Sequence, residues 1–198
     1  MSPRPEAYVF PHNHLFTVED WHKMGEIGLF SPERRVELIE GEIIEIGPIG
    51  SSHAGCVNRL NYLFNRQVAD SEIVSVQNPL IIKNHSEPQP DLMILRHEPH
   101  FYSEKHPTPE DVLLLIEVSD STLTYDRNVK NPLYARHGII EYWVVNLKDD
   151  CIEVYLNPQA QDYTLIHIMR RGKVITPSQF PHISVAVSDI LGKEVDKQ

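Results

Sequence analysis

Val112-Leu113-Leu114-Leu115-Ile116-Glu117-Val118-Ser119 sets one carboxylate directly behind five apolar residues. A run that apolar suits a central strand buried on both faces of a sheet. A carboxylate in such a strand is costly to bury without a partner. Glu117 therefore marks either a structural ion pair, with Lys130 or Arg127 as its nearest cations, or a place where chemistry is done.

Upstream, Ile73 to Ile82 and Asp91 to Leu95 also read as β-structure, and Pro90-Asp91 opens the second run. Before them, Ser51-Ser52-His53 opens a helix. Val57, Leu60, Leu63, Phe64 and Val68 recur along it at the three- and four-residue spacing of one apolar face. Downstream, a helical segment lies between Asp126 and His137, with Pro132 in its first turn and Gly138 as its C-terminal cap. Glu141 to Leu147 is another strand. Cys151 to Leu156 and Tyr163 to Met169 read as a hairpin around Asn157-Pro158. Nearer the N-terminus, Thr17-Val18-Glu19-Asp20 starts a helix that ends near Gly25 or Gly28, and Glu37 to Ile46 folds as a hairpin about Glu40-Gly41. The class is α/β: a mixed β-sheet flanked by helices, with an N-terminal helix and hairpin and C-terminal strand additions. The expected boundaries are an N-terminal extension over 1–15, a single domain over 16–190 and a C-terminal tail over 191–198.

If the strands carrying Asp91 and Glu117 are neighbours, both carboxylates meet at one edge of the sheet. Hard oxygen donors there suit Mg²⁺ or Mn²⁺, with waters completing the coordination. A lysine that orients the attacking water would complete a phosphodiester-cleaving site. Two residues after Glu117 stands Ser119, and the nearest downstream lysine is Lys130.

These residues resemble the PD-(D/E)XK nuclease superfamily, and within it the Uma-type restriction endonuclease family. The likeness is carried by Glu37-Leu38-Ile39-Glu40-Gly41-Glu42, Val76-Gln77-Asn78-Pro79, Glu87-Pro88-Gln89-Pro90-Asp91-Leu92 and Glu117-Val118-Ser119-Asp120-Ser121-Thr122-Leu123. It continues through Tyr125-Asp126-Arg127, Lys130, Pro132-Leu133-Tyr134-Ala135 and Glu141-Tyr142-Trp143-Val144-Val145, so that it spans about residues 16 to 156. The resemblance implies a restriction-endonuclease-like core, metal-dependent cleavage of DNA, and Asp91 and Glu117 as the two acids. It also implies the Val118 carbonyl as a further metal ligand, Lys130 in place of the superfamily lysine, and a two-fold homodimer. The superfamily's glutamate in the first core helix is missing, since His53 to Val68 holds no acid. His53 and Glu42 are the polar candidates for that place, and His53 is a catalytic candidate.

Other readings stand beside these. Asp91 also suits a turn cap, Lys130 a solvated helix position and His53 a helix start. Tyr125-Asp126-Arg127 either braces the site, with Arg127 a candidate phosphate contact, or caps a helix and forms ion pairs. Met169-Arg170-Arg171-Gly172-Lys173 is the densest basic patch and reads first as a solvated hairpin end, with DNA contact the second reading. No zinc spacing, phosphate-binding glycine loop or nucleophile elbow occurs.

The 198 residues are 41% hydrophobic and 23% charged, which excludes a disordered chain, and no apolar run is long enough to span a bilayer. Two cysteines form no disulfide framework, so a cytoplasmic location is expected. Eighteen basic against 28 acidic residues give a net charge of −10. That balance predicts weak, salt-sensitive binding of DNA. The rival functions are a non-catalytic interaction module on a nuclease-derived fold, and a hydrolase of RNA or small phosphodiesters.

Overall fold

In the computed structural model, which describes residues 13–31, 34–68 and 71–193, the run Val112–Ser119 is a strand with every residue buried. In chain order the elements are α1 (Val18–Glu26), β1 (Arg35–Ile39), β2 (Glu42–Ile46), α2 (Ser51–Asn65), β3 (Glu72–Ser75), β4 (Leu92–Arg96) and β5 (Val112–Ser119). Then come α3 (Leu123–Tyr125), α4 (Asn131–Arg136), β6 (Glu141–Asn146), β7 (Cys151–Pro158), β8 (Tyr163–Arg170), β9 (Val174–Ile175), β10 (Val185–Ala186) and α5 (Val187–Leu191).

The main sheet has six strands in the order β3-β4-β5-β6-β7-β8. Only β5 and β6 are parallel, and the helical segment between them makes the crossover that parallel neighbours require. β5 therefore lies inside the sheet, as its apolar run demands. Alternation along the strands divides the core in two. Leu92 and Ile94 of β4 and Leu114, Ile116 and Val118 of β5 pack with Leu60 and Phe64 of α2 and Ile190 of α5. Met93 and Leu95 of β4 and Leu115 of β5 pack with Leu133 and Tyr134 of α4. Full burial of each such side chain contributes roughly 2 kcal/mol. Glu117 and Ser119 lie two and four residues beyond Leu115 and so share the α4 side of the sheet.

The β1–β2 hairpin docks on this core through its own backbone. The Glu87 N–H donates to the Leu38 carbonyl at 2.7 Å, which ties β1 to the segment leading into Asp91. At the hairpin turn Glu40 and Gly41 both take positive φ, 51° and 81°, as a tight two-residue turn requires. α1 begins with the expected box, in which the Thr17 hydroxyl accepts from the Asp20 amide and the Asp20 carboxylate accepts from the Thr17 amide.

Three boundaries differ from the sequence reading. The β-run at Ile73–Ile82 is a strand only to Ser75. Gln77 turns left-handed, Pro79 supplies no N–H, and Leu80 and Ile82 bond instead to the Pro88 and Ser86 carbonyls. The β7–β8 hairpin turns at residues 159–162, closed by the Gln159 N–H on the Asp162 carbonyl, because Pro158 still pairs with Tyr163. Leu191, expected in the tail, is buried in α5 against the core. The part of the expected N-terminal extension over 1–12 lies outside the described residues. No helix among those described is long and apolar enough to cross a membrane.

A Cβ at Gly41 would sit 2.6 Å from the Leu15 Cβ, on a backbone that disfavours side chains. Gly41→Ala should lower stability by about 1–3 kcal/mol, read as a lower urea midpoint with unchanged slope. A midpoint equal to wild type would contradict this account of the turn.

Candidate functional site

β4 and β5 are antiparallel neighbours with Leu92 opposite Ile116. That register brings Asp91, one residue before β4, beside Glu117, and the Asp91 N–H lies 3.4 Å from Glu117 Oε2. The Val118 N–H donates to Asp91 Oδ2 at 2.9 Å. In an extended strand the N–H and C=O of one residue face the same edge, so the Val118 carbonyl emerges on the Asp91 side. Asp91 also accepts from Gln77 Nε2 at Oδ1, 3.1 Å, and meets His53 Nε2 at Oδ2, 3.0 Å. Burial pushes its carboxyl up, but the His53, Val118 and Gln77 contacts prevail and hold it below its ordinary range.

Lys130 arrives from the helical crossover. Between α3 and α4 the chain makes one π turn, Asp126–Lys130, in which the Asn131 N–H reaches the Asp126 carbonyl. Pro132 gives the physical reason. It has no N–H to bond the carbonyl four residues back and its ring crowds that carbonyl, so the helix widens just before it. The wide turn buries Asp126 and Lys130 on the sheet side. Lys130 Nζ donates to Glu117 Oε1 at 2.9 Å and to Glu37 Oε1 at 3.3 Å, with Glu37 Oε2 3.2 Å away. Tyr134, one turn on, donates its hydroxyl to Glu117 Oε1 at 2.8 Å. Ser119, two residues after Glu117, donates its hydroxyl to Asp126 at 2.6 Å and so pins the same turn.

Four carboxyl groups, Glu37, Asp91, Glu117 and Asp126, are buried around one buried ammonium. Burial first, then the Asp91, Asp126 and Glu37 charges, push Glu117 up to about 8 against the pull of Lys130. Asp126 is likewise raised by burial. Burial disfavours the Lys130 charge, yet Glu117, Glu37 and Asp126 outweigh it and hold the ammonium charged. A cavity of about 270 Å³ opens on this cluster and also touches His53, Val118 and Tyr125. Among the described residues Glu37 Oε2, His53 Nδ1 and the Tyr125 hydroxyl make no hydrogen bond, Glu37 Oε2 meeting Lys130 only as a charge. An excess of buried carboxylate oxygen suits a hard divalent cation. Among the described residues no group of three or more His, Cys, Asp or Glu is placed to hold an ion, so Asp91 and Glu117 would leave several coordination places to water.

The structure thus gathers Asp91, Glu117, Val118, Lys130 and His53. Glu42, the hairpin candidate, is exposed and does not line the cavity: it pairs with Ile39 beside the turn, while Glu37, paired with Ile44 farther along the same face of the hairpin, lines it. Glu37 and Gln77 are the residues missed by the sequence reading. Both stand in stretches that carry the family likeness, and a second acid on a hairpin otherwise buried at Leu38 and Ile39 was the available signal.

The family described as "Uma2: Putative restriction endonuclease" matches residues 18–188. No curated protein matches the chain. Among solved structures it is similar to a protein of Anabaena variabilis titled a putative nuclease belonging to DUF820, with a TM-score of 0.61 and 18% identity over 89% of this chain and 97% of that one. At that identity the likeness is one of fold.

Arg127 and the basic hairpin end stand apart from the cavity. Arg171 pairs with Asp150, and Arg170 reaches the Asp149 carbonyl. Arg127 grips Glu153 through two guanidinium nitrogens, Nε at 2.9 Å. Burial pushes Glu153 up, but Arg127, Tyr155 and Asn146 together hold it below its ordinary range. A depressed folded-state pKa contributes stability above the unfolded value, lost as pH falls through the folded one. Arg127→Met should therefore cost about 2 kcal/mol near pH 7 and progressively less below pH 4. A loss independent of pH in denaturant melts would contradict the pairing.

Proposed function

The chain belongs to the family described as "Uma2: Putative restriction endonuclease", and from that premise we propose that it is a metal-dependent endonuclease hydrolysing DNA phosphodiester bonds. The observation that carries this reading is the 2.9 Å contact between Lys130 and Glu117 beside Asp91. It restores, from a helix, the charge that Ser119 does not supply from the strand.

Asp91, Glu117 and the Val118 carbonyl would hold Mg²⁺ or Mn²⁺. An ion held there would supply Lewis-acid polarisation of a phosphoryl oxygen and an offset to charge on the attacking and leaving oxygens. The residues do the rest. Lys130, fixed by two carboxylates, supplies a preorganised positive charge and orients the attacking water through an N–H. With Nε2–H donating to Asp91, His53 fixes that carboxylate and keeps Nδ1 as an acceptor for a water proton. The Tyr125 hydroxyl, kept protonated by burial, is a donor suited to a phosphoryl oxygen. DNA is the proposed partner, held weakly because the chain carries −10. The proposed location is the cytoplasm, in keeping with two free cysteines, Cys56 and Cys151.

One observation favours a second reading. The oxygens of Asp91 and Glu117 already accept from His53, Gln77, Val118, Lys130 and Tyr134, as in a purely structural network. That is what a non-catalytic interaction module would keep. The discriminating experiment incubates the protein at low salt with supercoiled DNA, RNA and a small phosphodiester, each with Mg²⁺ or Mn²⁺. Endonuclease activity predicts DNA nicking that EDTA stops, that falls at least ~100-fold in Asp91→Ala and Glu117→Ala, and that falls comparably in Lys130→Met. No cleavage together with no heat of Mn²⁺ binding would favour the module. Cleavage confined to RNA or the small ester would correct the substrate.

A further inference from the structure

β8 ends the six-stranded sheet. One edge pairs with β7 from Cys151 opposite Arg170 to Pro158 opposite Tyr163, with no register shift, and the other has no strand beside it among the described residues. Its sequence is Tyr163-Thr164-Leu165-Ile166-His167-Ile168-Met169-Arg170. Ile166 and Ile168, on one face, are 48% and 51% exposed, and Leu165 on the other is 37% exposed. Sheet edges are ordinarily blunted by shortness, lysine, proline or a bulge. From Tyr163 to Met169 β8 has no Lys, Arg, Asp, Glu, Pro or Gly. The opposite edge, β3, is four residues long and starts at Glu72. Of the two edges of this sheet, among the described residues, the β8 edge is the long and unprotected one.

The ends of β8 are charged and complementary. Asp162 is exposed and accepts from the Tyr163 N–H, while Arg170 reaches only the Asp149 carbonyl at 3.3 Å. Neither is in an ion pair among the described residues. They stand symmetrically about Ile166. In an antiparallel pairing with Ile166 opposite the same residue of a second copy, Asp162 falls opposite Arg170 at both ends. In that register Thr164 falls opposite Ile168, and Leu165 opposite His167.

We propose that β8 is a self-association edge, and that two copies of this chain join through it in that register into one continuous twelve-stranded sheet. The contact is isologous, so it closes at two copies. It covers Ile166 and Ile168 of both chains and pairs the backbone groups that β8 leaves at the sheet's end. A heterologous contact between β8 and β3 would instead grow without limit, on an edge half as long. Self-association through β8 requires nothing of the cleavage site.

Sedimentation velocity on the full chain from about 1 to 200 µM tests this. The expected mass rises from the 22.8 kDa of one chain toward twice that value and no further. Arg170→Asp, which sets like charges opposite each other at both ends, should raise the dimer dissociation constant about 10-fold. Asp162→Arg combined with Arg170→Asp should return it to within about 3-fold of wild type, since the exchange restores both pairs. Ile166→Lys should leave a monomer with unchanged circular dichroism. Four results would overturn the proposal: a monomer at every concentration, mass growing past two copies, dimers unaffected by Arg170→Asp, or failure of the double exchange to restore them.

Discussion

The Lys130 ammonium, buried between Glu117 and Glu37, is the constraint on which the arrangement of this protein depends. Its three participants come from three pieces of chain: a central strand, a wide helical turn and the first strand of a hairpin. A charge taken out of water is tolerated only where its partners are held in place, and loss of one partner strands the others at about 3–5 kcal/mol. The hairpin must therefore dock through Leu38 and Glu87, β4 and β5 must keep their register, and the crossover must widen before Pro132. Each of these local features has its own backbone cause, and each also delivers one member of the cluster.

The same cluster explains how an acidic chain accommodates a site suited to phosphate chemistry. Lys130 is only one positive charge among four buried carboxyl groups, and the raised Glu117 and Asp126 express the surplus. Relief by a divalent cation needs no further residue, only oxygen donors and room for water. The cluster is also rigidly tied. Asp91 is held by Gln77, His53 and the Val118 amide, and Asp126 by Ser119 and Thr122. Such preorganisation is what electrostatic catalysis draws on, since the charges need not move when the reaction does.

Much of this was legible in the sequence, for identifiable reasons. The continuous, β-rich apolar run at Val112–Ile116 suits a strand covered on both faces, and Glu40-Gly41 and Thr17–Asp20 carry local turn and cap chemistry that tertiary structure had no cause to override. Asp91 and Glu117 were legible because each interrupts or borders an apolar strand. Lys130 was legible as the nearest cation to a buried Glu117, but its place in the site was legible only through the pair of acids and the family likeness, since a lysine on a short helical segment is ordinarily solvated. The π turn that buries it depends on how Pro132 strains the preceding carbonyl, which residue spacing does not reveal. Glu37 was obscured because Glu37, Glu40, Glu42 and Glu45 look alike in sequence, and only docking decides which faces inward. Asn157-Pro158 misled because Pro158 closes a strand there instead of opening a turn.

The central claim is that Asp91, Glu117 and Lys130 form one cation-dependent cleavage site. Its most direct test is a crystal soaked in Mn²⁺ and measured for anomalous scattering. The account predicts a single strong peak beside the Asp91 and Glu117 carboxylates, with the Lys130 ammonium still within hydrogen-bond reach of Glu117. No peak at that place, or a peak held by other residues, would contradict it.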